Sequence, residues 1–287
     1  MGGEITWECL NNGQFIFTLK VYRDCNGIAF ATTNHALEIH NYPTAGVISQ
    51  IQLDFFSVTD ITPSCEGSPC ATLTTSDPDI QGAIEEYILK SDSITLNGIP
   101  PANGWVFTWT YGDRNAAIDN ITNAQNFGIT LRAKLFSPNG QNTFPCFDSS
   151  PDFFQKPSTI ICAGEKFTYN HSAFDNELDS LSYSWAQPLD GNFCTNRPCT
   201  IGALFQENVT PAILAFDAAN GYNFDNPYPD TTLDVRNVAA TLDSSNGEIS
   251  FTSYNTGEFV SVIRVEAFRC GDKVAEIYRE LQTVIAN

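Results

Sequence analysis

The chain has 287 residues, of which 33 are acidic and 14 basic, so its formal net charge is −19. A field of that sign repels phosphate backbones and anionic lipid surfaces, which argues against nucleic acid or an acidic membrane as a partner. With 42% hydrophobic residues and 21 Phe, the composition is that of a folded protein rather than a disordered one, and the length allows two domains.

Alternating apolar and polar side chains, the pattern of half-buried strands, dominate the first half of the chain. A turn signal at Asn11-Asn12-Gly13 lies between two such segments and predicts a hairpin of Glu4–Leu10 with Gln14–Arg23. The segment Ile80–Leu89 fits either a short helix or a strand. Further strands are predicted at Ala36–Asn41, Val47–Phe56, Ile94–Leu96, Trp105–Tyr111 and Phe127–Phe136.

A stretch with several prolines, Ser137–Pro157, separates this half from the next and predicts an extended connector with a domain boundary near Gln155. After a long insert at 205–234, rich in Asn, Asp, Phe and Tyr, a final hairpin is expected around Cys270-Gly271-Asp272. The strands predicted in this half are Thr159–Cys162, Glu165–Asn170, Ser180–Ala186, Val238–Leu242, Glu248–Ser253, Glu258–Phe268 and Lys273–Val284.

The run GEKFTYNHSAFDNELDSLSYSW at 164–185, followed by LDSSNGEISF at 242–251, reads as strand, acidic loop, strand, turn and strand. This order resembles PKD-like and cadherin-like extracellular modules. The resemblance, with the alternating pattern, predicts an all-β protein of two tandem Ig-like β-sandwich domains. The first would cover residues 1–155, with inserted loops, and the second residues 156–287.

Several segments also resemble the gliding-motility-associated, adhesin-like surface proteins that Bacteroidota export through the type IX secretion system. The resemblance implies an extracellular, multi-domain surface protein and names no ligand. It is most specific near the N-terminus, and it departs from the family at Gly112-Asp113, where a Cys-Cys pair is usual, and at Asp175–Asp179, where Asp-Pro-Asp-Gly-Asp is usual. The segments that carry it are GGEITWECL at 2–10, FTLKVYRDCNG at 17–27, RNAAIDNI at 114–121, SSPDF at 149–153, ICAG at 161–164 and RELQ at 279–282.

Nine cysteines in a chain without repeats indicate an oxidising compartment. Zinc is the alternative for the close pairs, but four residues separate the members of each pair and neither has CxxC spacing. Of the other five cysteines, Cys162 and Cys270 are expected to face each other, and at least one thiol should remain outside any bridge. The predicted disulfides are local: Cys65 with Cys70, and Cys194 with Cys199.

The acidic loop offers three carboxylates within five residues, Asp175, Glu177 and Asp179. Calcium prefers several converging oxygen ligands, so these residues are the predicted site for a Ca²⁺ ion. The alternative is an acidic turn, in which Asn176 and the Asp side chains bind the backbone of the loop itself.

Aromatic residues give a second candidate site, because exposed aromatic faces bind sugars. Trp105 and Trp109 lie on one face of a predicted strand, where a buried core is the alternative. In the insert, Tyr222, Phe224 and Tyr228 stand among Asn and Asp and form the preferred ligand surface.

These patterns predict a non-catalytic structural or adhesive module of a larger bacterial surface protein, since no GxSxG or other nucleophile motif occurs. The partners expected are other surface-protein domains or extracellular glycans. A polysaccharide-binding module is one alternative. Another is a filament subunit that self-associates through an edge strand at Glu4–Leu10 or Lys273–Val284. No apolar stretch approaches the roughly 20 residues of a membrane span. Because no signal peptide precedes the first strand and the chain ends just after the last, we expect a mature or recombinant piece of a longer secreted protein.

Overall fold

The computed structural model describes residues 2–10, 13–25, 27–42, 50–62, 82–112, 114–137, 148–157, 160–191 and 213–287. Strands dominate these residues, and the only helices among them are two single 3₁₀ turns, Ala124–Asn126 and Ala218–Asn220. The strands are β1 (Gly2–Cys9), β2 (Phe15–Asp24), β3 (His35–His40), β4 (Gln50–Asp60), β5 (Ile84–Lys90), β6 (Trp105–Tyr111), β7 (Ile129–Leu135), β8 (Asp152–Phe153), β9 (Ile160–Cys162), β10 (Lys166–Asn170), β11 (Ala173–Phe174), β12 (Ser180–Trp185), β13 (Val238–Leu242), β14 (Glu248–Thr252), β15 (Gly257–Arg269) and β16 (Asp272–Ala286).

The prediction of an all-β protein is confirmed. Both predicted hairpins form, β1 with β2 and β15 with β16, and β6 and β13 have the predicted bounds. The ambiguous segment at Ile80–Leu89 contributes the strand β5, and the predicted strand at Ile94–Leu96 reduces to one bridge between Ile94 and Phe15.

The large antiparallel sheet closes on itself. Its pairings run from β1 through β2, β5, β4, β3, β6 and β7 to β16, and β16 pairs back to β1. At the closure Gly3 lies opposite Glu280 and Glu4 opposite Arg279. A Cβ atom on Gly2 or Gly3 would collide with the carbonyl oxygen of Glu280 or of Lys20, so only glycine lets the three strands approach at this point.

The last strand is shared between the two halves of the chain. One edge of β16 pairs with β15, and the opposite edge pairs in turn with β7, β1 and β9. The strand pairing therefore crosses the boundary that was expected near Gln155, and strands from both halves form one hydrogen-bonded sheet.

The core inside the closed sheet is built by the predicted alternation. Phe15, Phe17 and Leu19 are completely buried on one face of β2. Phe17 contacts Phe107 of β6 across the core, with ring centroids 4.5 Å apart. Strands on opposite sides of the closed sheet thus pack against each other through large aromatic side chains, each of which contributes about 1.5–3 kcal/mol by leaving water.

A smaller sheet, in the order β10-β14-β13, packs beside the β15–β16 hairpin. Tyr228 joins the two layers, because its ring stacks on Phe251 of β14 at 4.2 Å. Its hydroxyl lies 3.0 Å from the Ser261 hydroxyl on β15 and 3.2 Å from the Thr283 hydroxyl on β16.

The two strands predicted as open edges are covered, which corrects that expectation. Beyond its short pairing with β16, β1 donates its Trp7 amide to the Ser150 hydroxyl at 2.9 Å and its Cys9 amide to the Ser149 hydroxyl at 3.1 Å. The strand β16 is paired along both edges. A second element thus satisfies the backbone groups that a neighbouring molecule would need.

Among the described residues, no helix is both long and apolar enough to cross a membrane.

Candidate functional site

The two tryptophans of the predicted sugar platform are core residues. Trp105 has no exposed surface and Trp109 is 2% exposed. Both belong to β6, which pairs with β3 along one edge and with β7 along the other. Trp109 also stacks on Tyr111, with ring centroids 5.3 Å apart. The expectation of an exposed platform is corrected in favour of the buried-core alternative, because neither ring face can reach a ligand.

The aromatic residues of the insert are divided between core and surface. Tyr228 is the buried link between the sheets, and Tyr222 packs on Phe259 with centroids 5.8 Å apart. Burial raises the pKa of Tyr222 to about 12, helped by Asp119 and Asp217 nearby. Phe224 alone of the predicted three is substantially exposed. The expected surface of three aromatic side chains is therefore not assembled.

The acidic loop folds as a turn closed by its own backbone. The Asp175 carbonyl accepts a hydrogen bond from the Leu178 amide at 3.2 Å, and its Oδ1 accepts one from the Asp179 amide at 2.9 Å. Leu178 adopts the left-handed conformation, with φ of 63°. Glu177 turns away toward Ser149, whose hydroxyl donates to Oε1 at 2.9 Å. This geometry is that of the acidic-turn alternative.

Arg269, at the end of β15, supplies the positive charge that balances this loop. Its Nε donates to Asp179 Oδ1 at 3.0 Å, and its Nη2 donates to Asp179 Oδ2 at 2.7 Å and to Asp148 Oδ1 at 2.6 Å. The fork of a guanidinium matches a carboxylate in this bidentate way. The Arg269 guanidinium therefore lies between the Asp148 and Asp179 carboxylates, in the position that a calcium ion would need.

The buried carboxylates of this cluster are electrostatically crowded. Asp148 Oδ2 and Asp175 Oδ2 are buried and have no hydrogen-bond partner among the described residues. Burial raises the pKa of Asp148 to about 9; Arg269 opposes the rise, and the charges of Asp175, Glu177 and Asp179 reinforce it.

Calcium binding at Asp175, Glu177 and Asp179 stays a prediction, and these side chains as placed do not fit the ion. Asp179 is held by Arg269 and Glu177 by Ser149. In the part of the chain that the structure describes, no group of three or more His, Cys, Asp or Glu side chains is arranged to hold a metal ion.

A buried ion-pair network at the sheet closure could not be foreseen from the sequence. Glu4 is fully buried and bonds Arg279, the Lys20 Nζ at 3.1 Å and the Tyr22 hydroxyl at 3.0 Å. Burial by itself would raise the pKa of Glu4, but the charges of Arg279 and Lys20 lower it to about 2. Glu4 and Lys20 lie opposite each other on the face of the β1–β2 hairpin that points away from Phe17 and Leu19, where the alternating pattern predicts solvent.

A second buried pair joins the loop after β6 to the last strand. Arg114 Nη1 bonds Glu280, and Nη2 donates to Glu280 Oε2 at 3.2 Å and to the Leu189 carbonyl at 3.0 Å. Because β16 carries both Arg279 and Glu280, one strand fixes two distant segments through paired charges.

The described cysteines occur in two chemical states. Cys9 and Cys25 are each disulfide-bonded. They lie at opposite ends of the β1–β2 hairpin, roughly 30 Å apart at the rise of a strand, and so cannot be bonded to each other. The predicted pairs Cys65 with Cys70, and Cys194 with Cys199, lie outside the described residues.

Cys162 and Cys270 do not face each other, which corrects a further expectation. Both are exposed thiols outside any disulfide. Cys162 lies beside Ala286 at one end of β16, and Cys270 is in the turn before its other end. The 15 residues of β16 separate them by roughly 45 Å. At least one thiol was expected outside any bridge, and that prediction is confirmed.

An open groove of about 690 Å³ lies beside the acidic loop, between the two-stranded sheet β8–β11 and the turn that precedes β14. Phe154 and Phe174 line it together with Asn170, Tyr183 and Asn246. None of the described residues that line it carries a charge. No motif or alternation marks this site in the sequence, because β8 and β11 have only two residues each.

Comparison with known protein families, with curated proteins and with solved structures found no match to this chain.

Proposed function

We propose that this chain is a non-catalytic module of an extracellular cell-surface protein, with a structural or adhesive role. The observation that carries the proposal is the location of the protein's buried ion pairs. Two ion pairs are buried: Glu4 bonds Arg279, and Arg114 bonds Glu280. A catalytic acid or base must reach a substrate, whereas these groups stabilise the closure of a sheet.

Cysteine chemistry supports the extracellular part of the proposal. Cys9 and Cys25, at opposite ends of the first hairpin, are each disulfide-bonded. Such bonds persist in oxidising environments and are rare in the cytosol. The resemblance to exported Bacteroidota surface proteins points the same way, and other surface-protein domains or extracellular glycans are the partners that we propose.

The finer division into two tandem Ig-like sandwiches, 1–155 and 156–287, also remains a proposal. Its second unit would comprise the β10-β14-β13 sheet packed beside β15 and β16. Since β16 also pairs with β1 and β7, we propose that the two halves act as one rigid body rather than as independent beads.

Two measurements test the proposal. First, intact cells that express the natural protein are treated with a membrane-impermeant amine-reactive biotin reagent, and the protein is recovered from them. Labelling before lysis supports a surface location, and labelling only after lysis contradicts it. Second, beads that carry the purified chain are tested for retention on polysaccharide-coated and protein-coated surfaces under flow. Retention no greater than that of albumin-coated beads on every surface would contradict an adhesive role.

Self-assembly through an edge strand is a second candidate, at a different place from the one expected. Among the described strands, β13 is an outer strand of the small sheet, and its Val238 is 58% exposed. An exposed apolar edge is a template for strand addition. Light scattering across a concentration series tests this candidate, and a constant monomer mass would exclude it.

A further inference from the structure

The groove beside the acidic loop has two exposed aromatic walls. Phe153 points into the core from β8, so the next residue, Phe154, faces outward and is 89% exposed. Its amide donates to the Ser172 carbonyl at 3.1 Å, which fixes its backbone against the chain that enters β11. Phe174, in β11, is 56% exposed. Two large aromatic side chains thus stay in water at one site, an arrangement that marks a binding surface.

The floor and the opposite side of the groove are held firmly. The Tyr183 ring packs against Gly247, whose φ of 77° suits glycine. The Tyr183 amide donates to the Ser244 carbonyl at 2.9 Å and its hydroxyl to the Ala173 carbonyl at 3.4 Å. A ligand would therefore enter a groove whose shape already exists, which lowers the entropic cost of binding.

Two side-chain amides supply oriented donors. Asn170 Oδ1 accepts from the Ser172 amide at 2.7 Å and from its hydroxyl at 3.2 Å. Asn246 Oδ1 accepts from the Glu248 amide at 2.8 Å. Each oxygen is thus engaged in a local turn, and the NH₂ group of each amide, which bonds none of the described residues, remains as a donor for a ligand oxygen.

The charge pattern selects the class of ligand. The whole chain carries a net charge of −19, yet the described residues that line this groove include no acidic or basic one. Anionic ligands would be repelled by the protein's field, and cationic ones would find no carboxylate in the lining. The aromatic rings of the groove can stack on the apolar C–H faces of a sugar, and its amide and hydroxyl groups can hydrogen-bond to sugar hydroxyls. The lining therefore matches an uncharged sugar chain.

We propose that this groove binds a segment of a neutral oligosaccharide, with Phe154 and Phe174 as stacking platforms and Asn170 and Asn246 as hydrogen-bond donors. Its volume of about 690 Å³ falls within the range of small-ligand sites, about 300–1,000 Å³. This inference rests on the proposed adhesive function and names the ligand class and the site.

The test titrates the full chain calorimetrically with neutral hexaoses (cello-, xylo-, manno- and laminarihexaose), with hexagalacturonate as the acidic comparator and a Phe/Leu-rich peptide as the alternative partner. At least one neutral hexaose should bind, and hexagalacturonate should not. F154A and F174A should each weaken binding about tenfold, or about 1.4 kcal/mol, and the double variant should abolish it. N246D preserves the turn acceptor and removes the donor, so it should also weaken binding.

The matched control is F56A, which truncates a phenylalanine that is 62% exposed on β4, outside the groove, and should bind as the wild type does. Phe154 and Phe174 are exposed as well, so their truncation should leave the melting temperature nearly unchanged, which confirms folding. Binding that survives the double variant, binding of the peptide alone, or no binding to any neutral hexaose overturns the inference. If the beads still adhere in any of these cases, the proposed function stands without this site.

Discussion

Replacing Glu4 by Gln tests whether the buried ion pair holds the sheet closed. The substitution keeps the size of the side chain and removes its charge, so Arg279 is left buried opposite a neutral amide. Breaking one partner of a buried pair costs about 3–5 kcal/mol, a large share of a typical stability of about 5–15 kcal/mol.

The pKa of Glu4 leads to the same magnitude. Its fall from 4.5 to about 2 on folding corresponds to about 3 kcal/mol at neutral pH. Because the folded-state pKa is the lower one, this contribution is complete above about pH 4.5 and disappears as the pH falls through about 2. The E4Q variant should therefore lose most of its deficit relative to the wild type as both are acidified.

Urea denaturation monitored by tryptophan fluorescence at pH 7 and at pH 3 measures this difference. Glu8→Gln is the matched control, since Glu8 is an exposed residue of the same strand and its replacement should change stability by less than about 0.5 kcal/mol. If E4Q and E8Q unfold at the same urea concentration at pH 7, the pair contributes nothing to the closure and the reasoning is wrong.

Four further predictions follow from other buried or constrained positions. Neutral His171 is completely buried between aromatic rings and its pKa is lowered to about 3, so the wild type should lose more stability than His171→Leu as the pH falls from about 6.5 to 3. Asp148, with its pKa raised to about 9, should make the wild type lose stability as the pH rises from about 4 to 9, and Asp148→Asn should remove this dependence. Gly247→Ala should cost about 1–3 kcal/mol, because its Cβ would lie 2.5 Å from the Tyr183 ring at a positive φ. Arg269→Gln releases Asp179, so calcium should raise the melting temperature of this variant more than that of the wild type.

Denaturant titrations at several pH values check the first two of these predictions, and thermal melts check the others. Parallel pH profiles of variant and wild type would contradict the histidine or aspartate argument. An unchanged melting temperature in the glycine variant would show that the turn relaxes, and equal calcium responses would show that Arg269 does not compete with the ion.

The positions of most strands could be predicted, whereas the candidate site could not. Alternation is a property of neighbouring residues, so β2, β6 and β13 can be read without knowledge of the rest of the fold. A two-residue strand such as β8 or β11 has no period to detect. The groove that they border therefore forms only when the pairing of β8 with β11 brings Phe154 close to Phe174.

Local sequence by itself determined the all-β class, the two hairpins and the strongly acidic surface, since each depends on residues close together in the chain or on composition. Only the tertiary structure decided that β16 pairs with β1, that Glu4 meets Arg279 across 275 positions, and that Trp105, Trp109 and Tyr228 are buried. The physical reason is that burial and charge pairing depend on which surfaces meet in space. The sequence around an aromatic or charged residue is the same whether that residue packs against another strand or faces water.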